Sequence, residues 1–287
     1  MAAGRKPLGV FLHAQNGDRL VSFRHGDQRG TNEQFRVQPI WLTDSATGDF
    51  GIHLVCGVLS VVVSGTGYES VDAGRLSDAL ADRFVSIRTD HPLRVAVDGP
   101  RAASPIALAR NLLEPLRARG RVAEIIDAET FWRDASLRYE WGRTDLEAFA
   151  HHWLDADALR REVLSPLGPG GSSRFLPALR DPATNRSVRA APIPVPPNAI
   201  VLVAGELLLG HGLPFDYTVH LAVDSGARQR LTPPEWQWTL PAHESYDRTV
   251  RPAELADIVV RYNDPRHPAM RIGQQDQISP DNQQSMR

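Results

Sequence analysis

The sequence contains almost no lysine. Of its 32 basic residues, only Lys6 is a lysine, and all the others are arginine. Lys6 lies near the start of the chain, and the first residues of most domains are poorly ordered. A mechanism that needs a lysine at a fixed position must therefore rely on this residue or do without one.

The sequence also has a single cysteine, a small net charge and no long apolar run. The single cysteine, Cys56, excludes a disulfide within the chain, and its apolar surroundings predict a buried structural thiol. The longest apolar stretch, 52–64, is shorter than the roughly 20 residues of a membrane-spanning helix. A net charge of -2 gives no electrostatic reason to expect nucleic acid or an anionic membrane as a partner. The N-terminus MAAGRKPLGV has no export signal, so we expect a cytoplasmic protein.

The first 75 residues have the pattern of a small, mainly β domain. Short alternating apolar segments are separated by Gly, Asn and Asp, a pattern typical of β-hairpins. These segments are LGVFLHA, RLVSFRH, EQFRVQPIWLT and FGIHLVCGVLSVVVSG. The sequence GTGYES that follows them lacks a third glycine, so it predicts a hairpin turn and not a dinucleotide loop. A helix is predicted over 70–84, with Asp72 or Ser70 at its start.

Residues 76–273 alternate between strands and helices. The predicted strands are 94–99, 122–126, 200–203, 217–223 and 257–261. Helices are predicted over 104–119 and, as one or two helices, within 146–164. This alternation predicts a parallel sheet covered by helices on both faces, a three-layer α/β fold. The polar tail 274–287 has too few apolar residues to pack, and we expect it to be disordered.

The turn GPRAASPI connects the first of these strands to a helix, the setting of a phosphate-binding loop. Such a loop has the form G-x-x-x-x-G-K-[ST], in which backbone N–H groups, the lysine and the hydroxyl hold the phosphates and magnesium. Here Gly99 keeps the first glycine, but Ser104, Pro105 and Ile106 replace the other three groups. By chemistry alone, Ser104 is an ordinary helix N-cap and the turn is a plain strand-to-helix connection.

Five segments, in order, resemble the uridine kinase family, in particular its actinobacterial type. They are RVAVDG, ETFWRDASLRYEWGR, LSPLGPGGSSRF, AIVLVAGELLL and VRPAELADIVVRYNDPRHP. The resemblance covers roughly residues 76–273 and not the first 75. It implies a P-loop NTPase-like fold in which GPRAASPI is a degenerate Walker A loop.

The resemblance also implies site residues, position by position. The nucleotide loop corresponds to Gly99, Arg101, Ala102, Ala103 and Ser104. In the family, an acidic residue acts on the hydroxyl of the substrate. Glu129 stands at the position of that residue, so the resemblance implies Glu129 as the catalytic residue. The implied substrate-binding residues are Phe131, Arg138, Tyr139, Arg143 and Arg174. No residue is implied as a metal ligand.

Other positions depart from the family pattern. Ala204 stands where the family has an acidic residue. Glu206 lies two residues further on, and in a strand its side chain would point to the same side, so it is a candidate for partial substitution. The arginine-rich lid retains Arg228 and Arg230, but Pro233 and Pro234 interrupt its helix. Because phosphoryl transfer depends on positioning and charge stabilisation, these changes predict greatly reduced transfer.

Three functions follow from these observations. The first is a pseudokinase that has lost ATP phosphotransfer and serves as a nucleoside-binding, regulatory or assembly subunit, without a required cofactor. The second is an active kinase of nucleosides or small molecules that uses Mg-ATP at a phosphate site rebuilt from Arg101, Glu129 and Glu206. The third is an interaction protein with a filled pocket, the expected case if Phe131, Arg138 and Tyr139 pack into the core. A protein partner or self-association is expected to involve the N-terminal domain.

Overall fold

The computed structural model divides the chain into two compact units, Met1–Val62 and Val63–Arg287. It describes residues 72–264 and 266–272, together with three backbone strands at 9–15, 18–24 and 69–70. Lys6, Cys56, the predicted strands within 33–65 and the tail 274–287 lie outside the described residues. The predicted domain limits 1–75 and 76–273 stay predictions.

The first unit contains one described hairpin. Strand β1 (Gly9–Gln15) pairs antiparallel with strand β2 (Asp18–Arg24), from Gly9 opposite Arg24 to Gln15 opposite Asp18. These strands match the predicted segments LGVFLHA and RLVSFRH. The two residues between them are Asn-Gly, the pair that a tight hairpin turn favours.

The second unit contains nine described strands and eight described α-helices. The strands are Glu69–Ser70 (β3), Leu93–Asp98 (β4), Ala123–Asp127 (β5), Arg174–Phe175 (β6), Ile193–Pro194 (β7), Ile200–Gly205 (β8), Tyr217–Ala222 (β9), Ile258–Arg261 (β10) and Ala269–Ile272 (β11). The helices are Ala73–Ser86 (α1), Pro105–Ala118 (α2), Ala135–Arg138 (α3), Leu146–His151 (α4), Ala156–Leu159 (α5), Ser225–Leu231 (α6), Leu240–Thr249 (α7) and Pro252–Leu255 (α8). Three 3₁₀ turns lie at Arg101–Ala103, Ala128–Phe131 and Pro234–Thr239, and a π-helical segment lies at Arg160–Leu164.

A seven-stranded sheet with the order β3-β11-β10-β9-β4-β8-β5 forms the centre of this unit. Strands β10, β9, β4, β8 and β5 are parallel, as the alternating pattern predicts. Strands β11 and β3 add an antiparallel edge that we did not predict, so the sheet is mixed. Their few residues show too little periodicity to be recognised in the sequence.

Helices cover both faces of the sheet and make three layers. On one face, α1 and α2 bury leucines against alternate residues of β4, β8, β9 and β10. On the other face, two clusters join the intervening sheet residues to α4, α5, the π-helical segment and α7. Strands buried on both faces read as continuous apolar runs, and this explains the sequences VAV and IVLVA.

The helix boundaries follow local signals. Helix α1 begins after Asp72, whose carboxylate accepts a hydrogen bond from the Arg75 N–H at 2.8 Å, so Asp72 is the N-cap among the two predicted candidates. Helix α6 ends at Leu231, just before Pro233, so the predicted interruption of a helix by Pro233 and Pro234 is present. Within the described part of the chain, no helix is long and apolar enough to cross a membrane.

Candidate functional site

The candidate site lies where three neighbouring parallel strands end. Strand β8 pairs with β4 on one side and β5 on the other, so their carboxyl ends share one edge. The turns after β4, β5 and β8 carry Arg101, Glu129 and Glu206. Ligands of open α/β sheets bind at this edge, and the three residues come from segments far apart in the sequence.

Two glycines let these turns approach each other. A Cβ atom on Gly205 would lie 2.5 Å from the Cβ of Ala128, in the turn that carries Glu129. A Cβ on Gly99 would lie 2.8 Å from the Cβ of Leu221. Glycine is therefore required at both positions, and the first contact brings the end of β8 against the turn after β5.

The side chain of Arg101 lies between two carboxylates. Its Nη2 pairs with Glu129 Oε1 and lies 3.0 Å from Glu206 Oε1, outside hydrogen-bond geometry. Glu206 Oε2 is 2.9 Å from His243 Nε2 on α7. The side chain of Glu206 is only 9% exposed, whereas those of Arg101 and Glu129 are 23% and 25% exposed. We call Arg101, Glu129, Glu206 and His243 the ion-pair cluster.

Trp236 covers the guanidinium of Arg101. The Arg101 Cζ lies 3.9 Å from the centre of the Trp236 ring, a cation–π contact. Trp236 stacks with Trp238 at 6.3 Å between ring centres and contacts Trp132 and Trp153 at 6.1 Å each. The 3₁₀ turn Pro234–Thr239 thus packs one of its tryptophans against the Arg101 side chain.

Burial shifts the acid–base properties of the cluster. Desolvation raises the pKa of Glu129, although the charge of Arg101 opposes the shift. Desolvation likewise raises the pKa of Asp127, which accepts a hydrogen bond from the Glu129 N–H at 3.0 Å. Carboxyl groups with perturbed pKa values are typical of functional sites, although structural ion-pair networks also perturb pKa values.

The loop after β4 does not fit the phosphates of ATP. The N–H groups of Ala103 and Ser104 donate within the loop, to Pro100 O at 2.8 Å and Arg101 O at 2.9 Å. Pro105 has no N–H, and the Ile106 side chain packs against the core. The N–H groups of a phosphate loop must instead point at the ligand.

Ser104 does not act as the predicted N-cap. Its side chain makes no capping hydrogen bond to helix α2, and its φ of 49° lies in the left-handed region that glycine favours. This is the position of the second glycine in the phosphate-loop pattern. The backbone at Ser104 therefore has the conformation that glycine favours at this position of the pattern.

The residues around the loop do not fit magnesium either. Ile106 supplies no hydroxyl, and Ala204 is fully buried in β8 without an oxygen ligand. Glu206 is engaged by Arg101 and His243. Among the described residues, no group of three or more His, Cys, Asp or Glu side chains is arranged to hold a metal ion.

The predicted substrate-binding residues do not form one open pocket. Phe131 is fully buried in the core. Arg138 is 4% exposed, stacks on Trp153 and Tyr139, and donates to Arg133 O at 2.9 Å.

The remaining three positions are more accessible. Tyr139 is half-buried and packs against the aromatic cluster, with the exposed Arg143 over its ring. Arg174 is exposed and donates to Pro192 O at 3.1 Å. Only Arg101 and Glu129, among the predicted site residues, meet side chain to side chain at the sheet edge.

Several residues that complete the site were not predicted. His243 and Trp236 join it through tertiary packing, and no local motif marks either of them. Asp98, in the quoted segment RVAVDG, is fully buried and lies 2.7 Å from His220 Nδ1. Asp98 also accepts hydrogen bonds from Leu208 N–H at 2.8 Å and the Tyr246 hydroxyl at 3.2 Å.

Comparisons with known proteins support the fold only. No protein-family profile matches the chain, and no curated protein sequence is similar to it. A solved structure described as a possible uridine kinase from Bacillus stearothermophilus is similar, with a TM-score of 0.52 and 18% identity, over 64% of this chain and 96% of that one. A candidate fructose transport system kinase from Silicibacter sp. TM1040 gives a TM-score of 0.48 and 18% identity, over 65% and 95% of the two chains. The second unit has the three-layer α/β fold of P-loop kinases.

Proposed function

We propose that this protein is a pseudokinase: a P-loop kinase fold without ATP phosphotransfer that works by binding, as a regulatory or assembly subunit. The observation that carries the proposal is the ion-pair cluster. Arg101 fills the space between Glu129 and Glu206. Two N–H groups of the loop after β4 donate hydrogen bonds to carbonyl groups of the same loop. Losing one electrostatic contact to a transition state typically costs about 2.7–4 kcal/mol, so losing several leaves little rate.

The packing of the substrate side favours the interaction form of this function over nucleoside binding. Phe131 and Arg138 are buried, and Tyr139 packs against the aromatic cluster. A nucleoside would have to displace these contacts before it could reach the same side chains. We therefore expect uridine to bind weakly or not at all.

Calorimetric titration with Mg-ATP, with and without uridine, tests the proposal together with an assay for ADP formation. We expect neither magnesium-dependent ATP heat nor phosphate transfer. Saturable uridine binding without ATP binding would favour a retained ligand pocket over the interaction form.

Two arginine variants make the test specific. Arg101→Ala removes the side chain between the carboxylates, whereas Arg110→Ala removes an exposed arginine of α2. We expect both variants to lack phosphate transfer, as the wild type does. Transfer by the wild type that is lost in Arg101→Ala and kept in Arg110→Ala would establish the rebuilt-site kinase and overturn the pseudokinase.

A further inference from the structure

The turn that follows helix α3 carries an exposed tryptophan. Trp141 is 61% exposed, and one side of its ring contacts His152 at 5.6 Å between ring centres. An aromatic ring with few rotatable bonds supplies a large contact area at a low cost in conformational entropy. Tryptophan is also enriched among the residues that carry most of the binding energy of protein interfaces. The exposed indole of Trp141 therefore has the properties of an interface anchor.

A surface hole of about 340 Å³ lies beside this turn, and we call it the α3 hole. Its apolar walls are Trp132, Leu137 and Leu179. Leu137 precedes Trp141 by four residues, so the hole and the exposed ring are neighbours on the surface. Trp141 does not line the hole of its own chain. An indole ring system is smaller than the hole, so the ring of another chain can enter it.

The rim of the α3 hole is apolar and exposed. Leu137 is 52% exposed, and Val188, which follows the lining residue Ser187, is 45% exposed. Together with Trp141, these side chains place apolar surface around the hole. Exposed apolar patches with polar surroundings are typical of protein interaction sites.

The α3 hole also contains cations that suit an aromatic ring. Arg180 lines it and pairs with Asp134 at 3.1 Å. Arg133 lines it as well and is half-buried, and its side chain has no hydrogen-bond or ion-pair partner within the described part of the chain. A guanidinium attracts the face of an indole ring, and this attraction strengthens as the pair is desolvated.

We propose that the partner on this surface is a second copy of this chain, with Trp141 of each copy inserted into the α3 hole of the other. A two-fold axis makes both insertions at once, because a two-fold interface uses the same surface patch on each subunit. The chain thus carries both the anchor and the matching hole, side by side. Two inserted rings and the rim around them form a small interface, so we expect a weak dimer with a micromolar dissociation constant.

This inference adds a partner to the proposed binding function but does not rest on the loss of phosphotransfer. None of Arg101, Glu129 and Glu206 lines the α3 hole. Phosphate transfer by the wild type would overturn the pseudokinase and leave the dimer unaffected.

The test is sedimentation velocity of the full chain from about 1 to about 300 μM. We expect a reversible monomer–dimer equilibrium within this range. A chain that stays monomeric at every concentration would overturn the proposal.

Three variants locate the interface. Trp141→Ala removes the ring, and Ser187→Phe fills the α3 hole while leaving Trp141 intact; both residues are exposed, so both variants should fold. Each is expected to raise the dissociation constant of the dimer at least about tenfold. Leu255→Ala removes an exposed apolar side chain of α8 that does not line the hole, and it should change nothing.

The pattern of effects decides between sites. A dimer that is unchanged in Trp141→Ala would place self-association elsewhere in the chain and would overturn the proposal. A dimer that is weakened in Trp141→Ala but unchanged in Ser187→Phe would mean that the ring docks outside the hole, and this would overturn it as well. Equal weakening in all three variants would mean non-specific apolar association and would also contradict it.

Discussion

At the scale of single residues, the contacts of the Arg101 side chain decide what the site can bind. An arginine in a phosphate loop could serve as a cation for a ligand, since the chain has no lysine there. Instead its guanidinium is enclosed by two carboxylates and the face of Trp236. A planar guanidinium is suited to such paired and stacked contacts, and a compact ammonium ion is not. Arg101, Glu129 and Glu206 were singled out from the sequence, but only the tertiary structure shows that their side chains contact each other.

The raised pKa of Glu129 predicts a dependence of stability on pH. A carboxyl group whose pKa is raised by folding binds protons more tightly in the native state. The contribution of Glu129 to the free energy of unfolding is fully present at pH values below its ordinary pKa of 4.5. It is lost as the pH rises through the higher pKa of the folded protein. We therefore expect Glu129→Gln to gain in stability relative to the wild type as the pH rises, measured by urea unfolding from about pH 4 to about pH 8.

An exposed carboxylate of the same region, Glu140, provides the control. Glu140→Gln should show no comparable trend relative to the wild type. A difference between wild type and Glu129→Gln that is constant over the pH range, or that moves the other way, would contradict the burial of this group.

At the scale of elements, helix α2 carries an internal defect. Pro115 lies inside the helix, where it can supply no N–H to the carbonyl of Asn111. Proline is about 3 kcal/mol less favourable than alanine in a helix interior, and part of this is offset because proline also restricts the unfolded chain. We expect Pro115→Ala to raise the free energy of unfolding by about 1–2 kcal/mol, measured by urea or thermal unfolding.

Pro105 is the matched control for this substitution. It stands at the first position of the same helix, where proline is tolerated because the N–H has no intrahelical partner. Pro105→Ala is expected to change stability by less than about 1 kcal/mol. If the two substitutions had equal effects, the cost of Pro115 would not come from its place in the helix interior.

At the scale of the whole molecule, the second unit has a core of its own. The three hydrophobic clusters of the described residues all lie between Leu76 and Met270. We expect the shorter chain 63–287 to fold by itself and to melt within about 2 °C of the full chain, measured by circular dichroism. A melting temperature lower by more than about 5 °C would mean that residues 1–62 contribute to that core.

The sequence by itself determined the local features of this protein. Four of them depend on residues close together in the chain. These are the strand–turn–helix unit around GPRAASPI, the start of α1 at Asp72, the interruption after α6, and the alternation of strands and helices that gives a parallel sheet. The absence of a lysine, a hydroxyl and a second glycine at the corresponding positions of the turn GPRAASPI, compared with the phosphate-loop pattern, is equally local. These features were predictable because backbone preferences, caps and periodicity act over a few residues.

Only the tertiary structure decided which side chains meet. His243 and Trp236 reach the ion-pair cluster from α7 and the turn before it, and Phe131 and Arg138 turn from predicted ligand contacts into packing residues. The position of the antiparallel edge strands also depends on the strand order. Such contacts join separate segments of the chain, and no local pattern records which of many charged or aromatic side chains will be brought to the same sheet edge.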